Sequence, residues 1–458
     1  MNCYNNLSPR LKFSDMKVYL SMKKIYVGLI GFGTVGAGVV KLLRNNDNLL
    51  KERLGAGLVL KKIVDLDITA PRDVSVEKDT LTQDVGEVLN DPEISIVIEL
   101  MGGYEPAKSF ILKAMRNKKH VVTANKALLA TCGDEVFKTA EEEGVDIGFE
   151  ASVGGAVPVI KTLKESLIAD RIESIFGIMN GTSNYILTKM TDEGNNFTDV
   201  LKEAQDMGYA EADPAFDVDG IDTAHKLAII LSLSYGWRVK LDDIYMEGIS
   251  GIDQKDIGFA GDLGYKIKLL AIAIRRGGAI EARIHPTMIP FDHLLASVNG
   301  NFNALHITCD AADSIFLYGQ GSGMIPSASA VMGDLVDISR NMLKGITRRV
   351  SSRFRREGAA EDIRLMPMKD IATNYYFRFS AVDRPGVLSR ISGILGKNDI
   401  SLASVIQKGR KHTGAVPIVV TTHESREKNV RNALKEIDQL DIVREKTILI
   451  RIEDDRLR

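Results

Sequence analysis

The stretch Ile25-Tyr26-Val27-Gly28-Leu29-Ile30-Gly31-Phe32-Gly33-Thr34-Val35-Gly36 decides the fold class of the first part of this chain. A short apolar run ends in a G-x-G-x-x-G pattern, and a stretch of helical character follows to about Arg53. Each glycine has a physical use in such a strand–turn–helix setting. Gly31 permits the tight turn, Gly33 lets a pyrophosphate approach the backbone, and Gly36 lets helix and strand pack closely. The helix N-terminus then faces the anion with unpaired N–H groups and a partial positive charge. Gly31, Phe32, Gly33, Thr34, Val35 and Gly36 are therefore the candidate dinucleotide contacts. A chain with 40 glycines produces chance matches, so the setting carries more weight than the pattern.

Outward from this turn, a second apolar run, Leu58–Val64, ends in Asp65-Leu66-Asp67. A carboxylate at that strand end, Asp65 or Asp67, would hydrogen-bond a ribose 2′-hydroxyl and repel a 2′-phosphate, which favours NAD. Arg72 is close enough in sequence to accommodate a 2′-phosphate, so NADP stays open. Ile94–Leu100, a helical Ala107–Asn117, His120–Thr123, a helical Glu135–Glu143 and Val145–Phe149 continue the alternation. Strands spaced by helices of this length predict an α/β, Rossmann-type, doubly wound parallel sheet over residues 22–150.

The pattern changes over residues 151–340. Helical segments at Val157–Ile168 and Thr223–Ser234 mix with extended stretches at Ile172–Met179 and Ala282–Ile289, which predicts a middle α+β domain. The basic, polar stretch Arg340–Asp362 reads as a solvated helix end and linker, so residues 341–373 are expected to connect this domain to the next. Residues 374–453 then read βαββαβ: strand Asn374–Val382, helix Gly386–Gly396, strands Ile400–Gln407 and Val416–Thr422, helix Val430–Leu440, strand Lys446–Glu453. That order is ferredoxin-like, and the polar linker makes the module look removable.

Composition bounds the function. The 458 residues suggest about three domains. With 59 Lys plus Arg against 61 Asp plus Glu, the net charge of −2 argues against nucleic acid as the main partner. Three cysteines (Cys3, Cys132, Cys309) supply neither a disulfide framework nor a Cys-based zinc cluster, and a cytoplasmic setting is expected. No apolar run approaches the ~20 residues that span a bilayer, so no membrane partner is expected. Residues 1–21 lack a signal peptide's apolar core and are expected to be a disordered extension.

The second chemical signal is Gly208-Tyr209-Ala210-Glu211-Ala212-Asp213-Pro214-Ala215-Phe216-Asp217-Val218-Asp219-Gly220-Ile221-Asp222-Thr223-Ala224-His225-Lys226. A helix starting near Asp222 puts that carboxylate and the Lys226 ammonium on one face, at i and i+4. The apolar LAIILSLSYG that follows implies burial, where an ion pair is costly to keep. Residue chemistry alone leaves a structural ion pair and a reaction centre both open.

Ala204, Gly208-Tyr209-Ala210, Asp213-Pro214, Asp217-Val218, Gly220, Asp222 and Lys226 resemble, in identity and spacing, the signature of the homoserine dehydrogenases. Thr123–Leu128, Glu150–Gly155 and Gly319–Ala328 resemble the same family, and Asp383-Arg384-Pro385-Gly386-Val387-Leu388 resembles the first turn of an ACT domain. The layout is similar to the monofunctional, ACT-bearing bacterial members, with no kinase module expected ahead of it. The resemblance implies NAD- or NADP-dependent interconversion of L-homoserine and L-aspartate 4-semialdehyde in threonine, methionine and isoleucine biosynthesis. It implies that Glu211, Asp217 and Asp222 bind substrate, that Lys226 is the proton donor, and that Lys126 and Gly323 lie near the nicotinamide. It further implies a monovalent cation, usually sodium, at Glu150, Val153, Gly155 and Val157, and a return of the chain to the first domain near residues 319–340. An amino-acid effector, threonine first, is implied at Asp383, Arg384, Gly386 and Val387, and a homodimer or homotetramer is implied as the assembly.

The chemistry agrees with these roles. Reducing an aldehyde needs a hydride at carbon and a proton at the developing alkoxide, and an ammonium both stabilises that oxygen and supplies the proton. An aldehyde dehydrogenase working through a thiohemiacetal would need an activated cysteine, and neither Cys132 nor Cys309 lies in such a motif. The alternative from another class is a non-catalytic amino-acid or dinucleotide sensor, which has no need of the Glu211, Asp222, Lys226 and Lys126 set.

Overall fold

A computed structural model describes residues 22–236, 239–351, 364–407 and 415–454. The expected extension, 1–21, and residues 352–363 of the expected linker lie outside the described residues. The described residues fall into two compact units, one within 22–128, 135–151 and 323–351, the other within 129–134, 152–322 and 364–454.

In the first unit, β1 (Lys24–Ile30), β2 (Gly57–Val64), β3 (Leu81–Thr82), β4 (Ile94–Glu99), β5 (His120–Thr123) and β6 (Ile147–Gly148) make one parallel sheet. The order β3-β2-β1-β4-β5-β6 reverses direction between β1 and β4, which opens a crevice at the carboxyl ends of those strands. The helical stretch after the glycines is two helices, α1 (Thr34–Asn45) and α2 (Asp47–Leu54), because Asn46 leaves helical geometry at φ −110° and ψ 16°. Asparagine competes for backbone hydrogen bonds with its side chain, so it favours such breaks. Helices α3 (Ala107–Arg116) and α4 (Lys126–Glu143) follow β4 and β5.

The second unit opens with a departure from expectation. Instead of a helix over Val157–Ile168, only Val159–Lys161 is α-helical, and Thr162–Ser166 widens into a π-type turn. Strand β7 (Ile172–Ile178) leads into α5 (Gly181–Glu193), α6 (Phe197–Asp206), α7 (Ala215–Val218) and α8 (Ile221–Tyr235). After β8 (Tyr245–Met246) and α9 (Gln254–Asp262), a long hairpin forms from β9 (Tyr265–Arg276) and β10 (Ala279–Pro290), turning at Gly277-Gly278. The run Leu269–Ile274 is buried throughout, and a short continuous apolar run cannot be told from a buried helix by periodicity. Strands β11 (Phe302–Cys309) and β12 (Ser314–Gln320) complete this part. The chain then returns to the first unit as α10 (Met324–Leu343), whose Ala328, Val331, Leu335 and Ile338 share a core with Val39 and Val40 of α1. Contact is so close that a Cβ on Gly38 would stand 2.7 Å from the Met324 carbonyl oxygen.

The C-terminal strands continue the second unit's sheet. After the short strand β13 (Arg364–Leu365), β14 (Ala372–Val382), α11 (Val387–Lys397), β15 (Leu402–Gln407), β16 (Ala415–Thr422), the two-residue β17 (Ser425–Arg426), α12 (Glu427–Ile437) and β18 (Val443–Ile452) give the expected βαββαβ order. Strand β18 pairs with β10 through Thr287↔Arg451 and Met288↔Ile452, so the sheet runs β12-β11-β7-β9-β10-β18-β14-β16-β15. The linker reads as a break, yet the module shares the second unit's sheet. Buried Arg378 of β14 holds Asp256 of α9 at 2.6 and 2.8 Å, and buried Arg283 of β10 holds Glu453 at 2.8 Å.

Candidate active site

The dinucleotide cradle is built as the glycine pattern requires. Gly31 has φ +98°, and a Cβ there would stand 2.6 Å from the Leu100 carbonyl carbon. Gly36 has no room either, being packed against the Gly31 carbonyl, whereas nothing lies within 4 Å of a Cβ on Gly33, the N-cap of α1. Space at Gly33 beside a helix N-terminus fits an approaching pyrophosphate. Of the two candidate acids, Asp65 is the one at the turn: its Oδ2 accepts the Phe32 N–H at 2.6 Å. Asp67 instead closes its own loop by accepting from Thr69 and Ala70. Arg72 lies over the Phe32 ring, donates to the Phe32 carbonyl at 2.7 Å and pairs with Asp65 Oδ1 at 3.3 Å. Gly323, with φ +120°, begins α10 within this same unit.

At the carboxyl ends of β4 and β5, a fully buried Glu99 ties two loops together. It accepts from Thr123 Oγ1 at 2.6 Å and from the N–H groups of Met101 and Gly102. Asn125 donates to the Gly103 carbonyl and caps α4, which positions Lys126 as the first helical residue. Glu99 was missed by sequence reasoning because it belongs to no short motif, and Asn125, though inside the Thr123–Leu128 stretch, was given no role there.

The acidic signature resolves into turns and one buried pair. Gly208, φ +73°, follows the end of α6 where a left-handed residue closes helices, and Gly220, φ +86°, is the N-cap of α8. On α8, Lys226 Nζ donates to Asp222 Oδ2 at 2.6 Å and to the Met179 carbonyl at 2.6 Å. Lys226 and Asp222 are 8% and 5% exposed, which excludes an ordinary surface ion pair. Asp217 joins them through Asn180, whose Nδ2 lies 2.7 Å from Asp217 Oδ1 and 3.0 Å from Asp222 Oδ2. Burial pushes the Asp217 carboxyl above its ordinary range. Glu211 is not part of this cluster. It lies exposed in the loop after α6, where its backbone carbonyl accepts from Gln205.

Asn303 donates to the same Met179 carbonyl at 3.0 Å, and its buried Oδ1 has no hydrogen-bond partner. It presses against Gly321, where any Cβ would collide with it. Buried Glu150 belongs to the first unit, where its N–H donates to Asp334 Oδ2 at 2.8 Å. Val153, Gly155 and Val157 belong to the second, in a loop turned by Gly154 and Gly155 at φ +78° and +57°. Asp383, Arg384 and Gly386 are exposed, and Gly386 at φ +86° is the N-cap of α11, while Val387 is buried. Burial pushes the Cys309 thiol up to about 11, the opposite of an activated nucleophile.

Comparison with known proteins decides the family. A homoserine dehydrogenase model matches residues 158–336, the NAD-binding domain model of homoserine dehydrogenase residues 31–150, and the ACT domain model residues 375–441. The homoserine dehydrogenase of Pseudomonas aeruginosa is 43% identical over 437 residues, which cover 94% of this chain and 99% of that protein. The crystal structure of a homoserine dehydrogenase from Thiobacillus denitrificans is 44% identical with a TM-score of 0.87, covering 94% of this chain and 99% of that one.

This chain belongs to the homoserine dehydrogenase family.

As a homoserine dehydrogenase it is an NAD(P)-dependent oxidoreductase, and its C-terminal module is an ACT domain. A hyperthermophilic archaeal homoserine dehydrogenase mutant in complex with NADPH is 25% identical, with a TM-score of 0.59 over 70% of this chain. Among the described residues no helix is long and apolar enough to cross a membrane, and no three His, Cys, Asp or Glu side chains group as metal ligands.

The second unit holds another buried lysine that no motif announced. Lys268 of β9 donates to Asn184 Oδ1 at 3.1 Å and to the Val298 carbonyl at 2.6 Å. Burial pushes its ammonium down to about 7 from an ordinary 10.5. The unfolded chain therefore binds more protons than the folded one between those values, and stability should rise with pH across that window. Urea unfolding at pH 7 and pH 10 checks this: Lys268→Met should flatten the rise relative to the parent protein. An identical rise in both proteins would assign it to other groups.

Proposed function

We propose that this chain interconverts L-homoserine and L-aspartate 4-semialdehyde, with Lys226 moving the proton at the substrate oxygen. The observation that carries this reading is the buried Lys226 ammonium, held by Asp222 Oδ2 and the Met179 carbonyl. Those two acceptors take two of its three hydrogens, and the third serves the substrate. In reduction Nζ gives a proton to the carbonyl oxygen; in oxidation it takes one from the hydroxyl. The nicotinamide, when bound, supplies or accepts the hydride. Asp217 and Asp222 offer carboxylates to the substrate amino group, and Glu211 does so from its loop. Lys126 adds a positive charge at the start of α4 on the nicotinamide side.

Both cofactors are accepted in this proposal. The charge of Asp65 is met by Arg72 and by the Phe32 N–H, which lowers its repulsion of a 2′-phosphate. Arg72→Ala should raise KM for NADP about ten-fold, the loss of one charge-assisted hydrogen bond, and change KM for NAD less. Equal changes would mean that Arg72 only braces the turn. Sodium at Glu150, Val153, Gly155 and Val157 stays in the proposal on donor chemistry, since a carboxylate and backbone carbonyls are hard oxygen ligands.

Regulation by threonine is proposed through the exposed turn of Asp383, Arg384 and Gly386 in the ACT domain, with buried Val387 behind it. The test of the whole reading uses the intact chain. Homoserine with NAD or NADP at alkaline pH should produce the absorbance of reduced nicotinamide, and threonine should suppress it. No reduced cofactor with either nucleotide would leave a sensor as the better reading. Activity indifferent to threonine would remove that effector alone.

A further inference from the structure

Asn180 follows β7 and caps α5: its Oδ1 accepts the Ser183 N–H at 2.8 Å. That bond assigns the orientation of the amide, so both Nδ2 hydrogens are left for other acceptors. They meet two carboxylates, Asp217 Oδ1 at 2.7 Å and Asp222 Oδ2 at 3.0 Å, and the latter oxygen also accepts from Lys226. Asn180 itself is 5% exposed. Two carboxylates drawn to one place repel, and the Lys226 ammonium bonded to Asp222 offsets part of that repulsion. A neutral double donor relieves the repulsion without adding a second cation that would compete for the substrate's acceptors.

We propose that Asn180 is a positioning residue for the reaction, its amide clamping Asp217 and Asp222 so that the Lys226 ammonium is held in one geometry. The proposal rests on the homoserine dehydrogenase reading and adds to it a residue that the signature does not contain. The identity of the residue follows from its three bonds. Serine, threonine, aspartate and asparagine all cap helices well. Of these, asparagine alone offers the capping acceptor together with two N–H donors. Among the described residues the charged groups acting on Asp217 are Asp222 and Lys226, both on α8, while Thr182 and Asn180 at the start of α5 are neutral. Burial raises the Asp217 carboxyl and the Asn180 donor opposes that rise.

Asn180→Ser and Asn180→Asp separate the clamp from the cap, because both keep an oxygen for the Ser183 N–H and lose the paired donors. Both variants should keep the thermal transition of the parent protein, within a few degrees by circular dichroism. Their kcat for homoserine oxidation should fall at least about ten-fold, with KM for the nucleotide unchanged. In Asn180→Ser the acid limb of kcat/KM for homoserine should move to higher pH, since Asp217 loses a donor to its ionised form. Parental kcat and an unmoved acid limb in both variants would overturn the clamp and leave a helix cap. Loss of the native transition in both would overturn it as well, by making the residue structural. An inactive parent protein would instead sink the proposed function, and that result is visible before any variant is made.

Discussion

Replacing Lys226 by alanine is expected to lower kcat at least about 100-fold, the low end for loss of a general acid. The other side chains of the cluster are two carboxylates, bridged by the neutral Asn180 amide. Binding should suffer less than turnover, since a proton transferred in the transition state is an interaction that the ground state lacks. Lys226→Arg separates the two duties of the ammonium. Arginine restores the positive charge but keeps its proton at any working pH, so it should recover substrate affinity and little of the rate. Steady-state kinetics of both variants, with circular dichroism to confirm folding, decide the matter. Near-parental kcat in the alanine variant would remove Lys226 from proton transfer.

The second large effect concerns stability. Asp256 is fully buried on α9 and accepts from Arg378 through both carboxylate oxygens, with Tyr376 adding a third bond at 2.8 Å. Hydrogen bonding to Asp256 raises the Arg378 guanidinium above its ordinary value, so the arginine stays charged. Asp256→Ala leaves that buried charge without its bidentate partner and with Asp253 at 4.0 Å, at a cost of about 3–5 kcal/mol. Chemical denaturation should show a shift of this size. A cost under about 1 kcal/mol would mean that the guanidinium finds another partner. By the same reasoning, ending the chain near Asp362 removes Arg378 and Tyr376 from Asp256 and Glu453 from Arg283, which keeps Glu281, and the truncated protein should fail to fold. Regulation is therefore best tested by titrating threonine against the full-length chain.

Much of this protein was legible in residue order, and the limit has a physical cause. The glycines of the first turn report a purely local demand, room for a backbone and an anion, so Gly31–Gly36 identified the dinucleotide unit before any contact was known. The i, i+4 spacing of Asp222 and Lys226 is likewise a property of one helix, and the two side chains do meet at 2.6 Å. The βαββαβ order of the C-terminal module followed from strand and helix periods alone. What tertiary structure decided were relations across long separations. Asn180 meets Asp217 and Asp222 from 37 and 42 positions away. Arg378 meets Asp256 across 122, and Glu453 meets Arg283 across 170. Polar residues in a strand or loop carry no periodic signal that reveals their partners, because burial and pairing are set by which elements pack together. For that reason the chain's order of residues named the chemistry, while only the fold showed which neutral amide holds the carboxylates together. It also showed that the apparent linker leads into a module sewn to the catalytic sheet by buried charges.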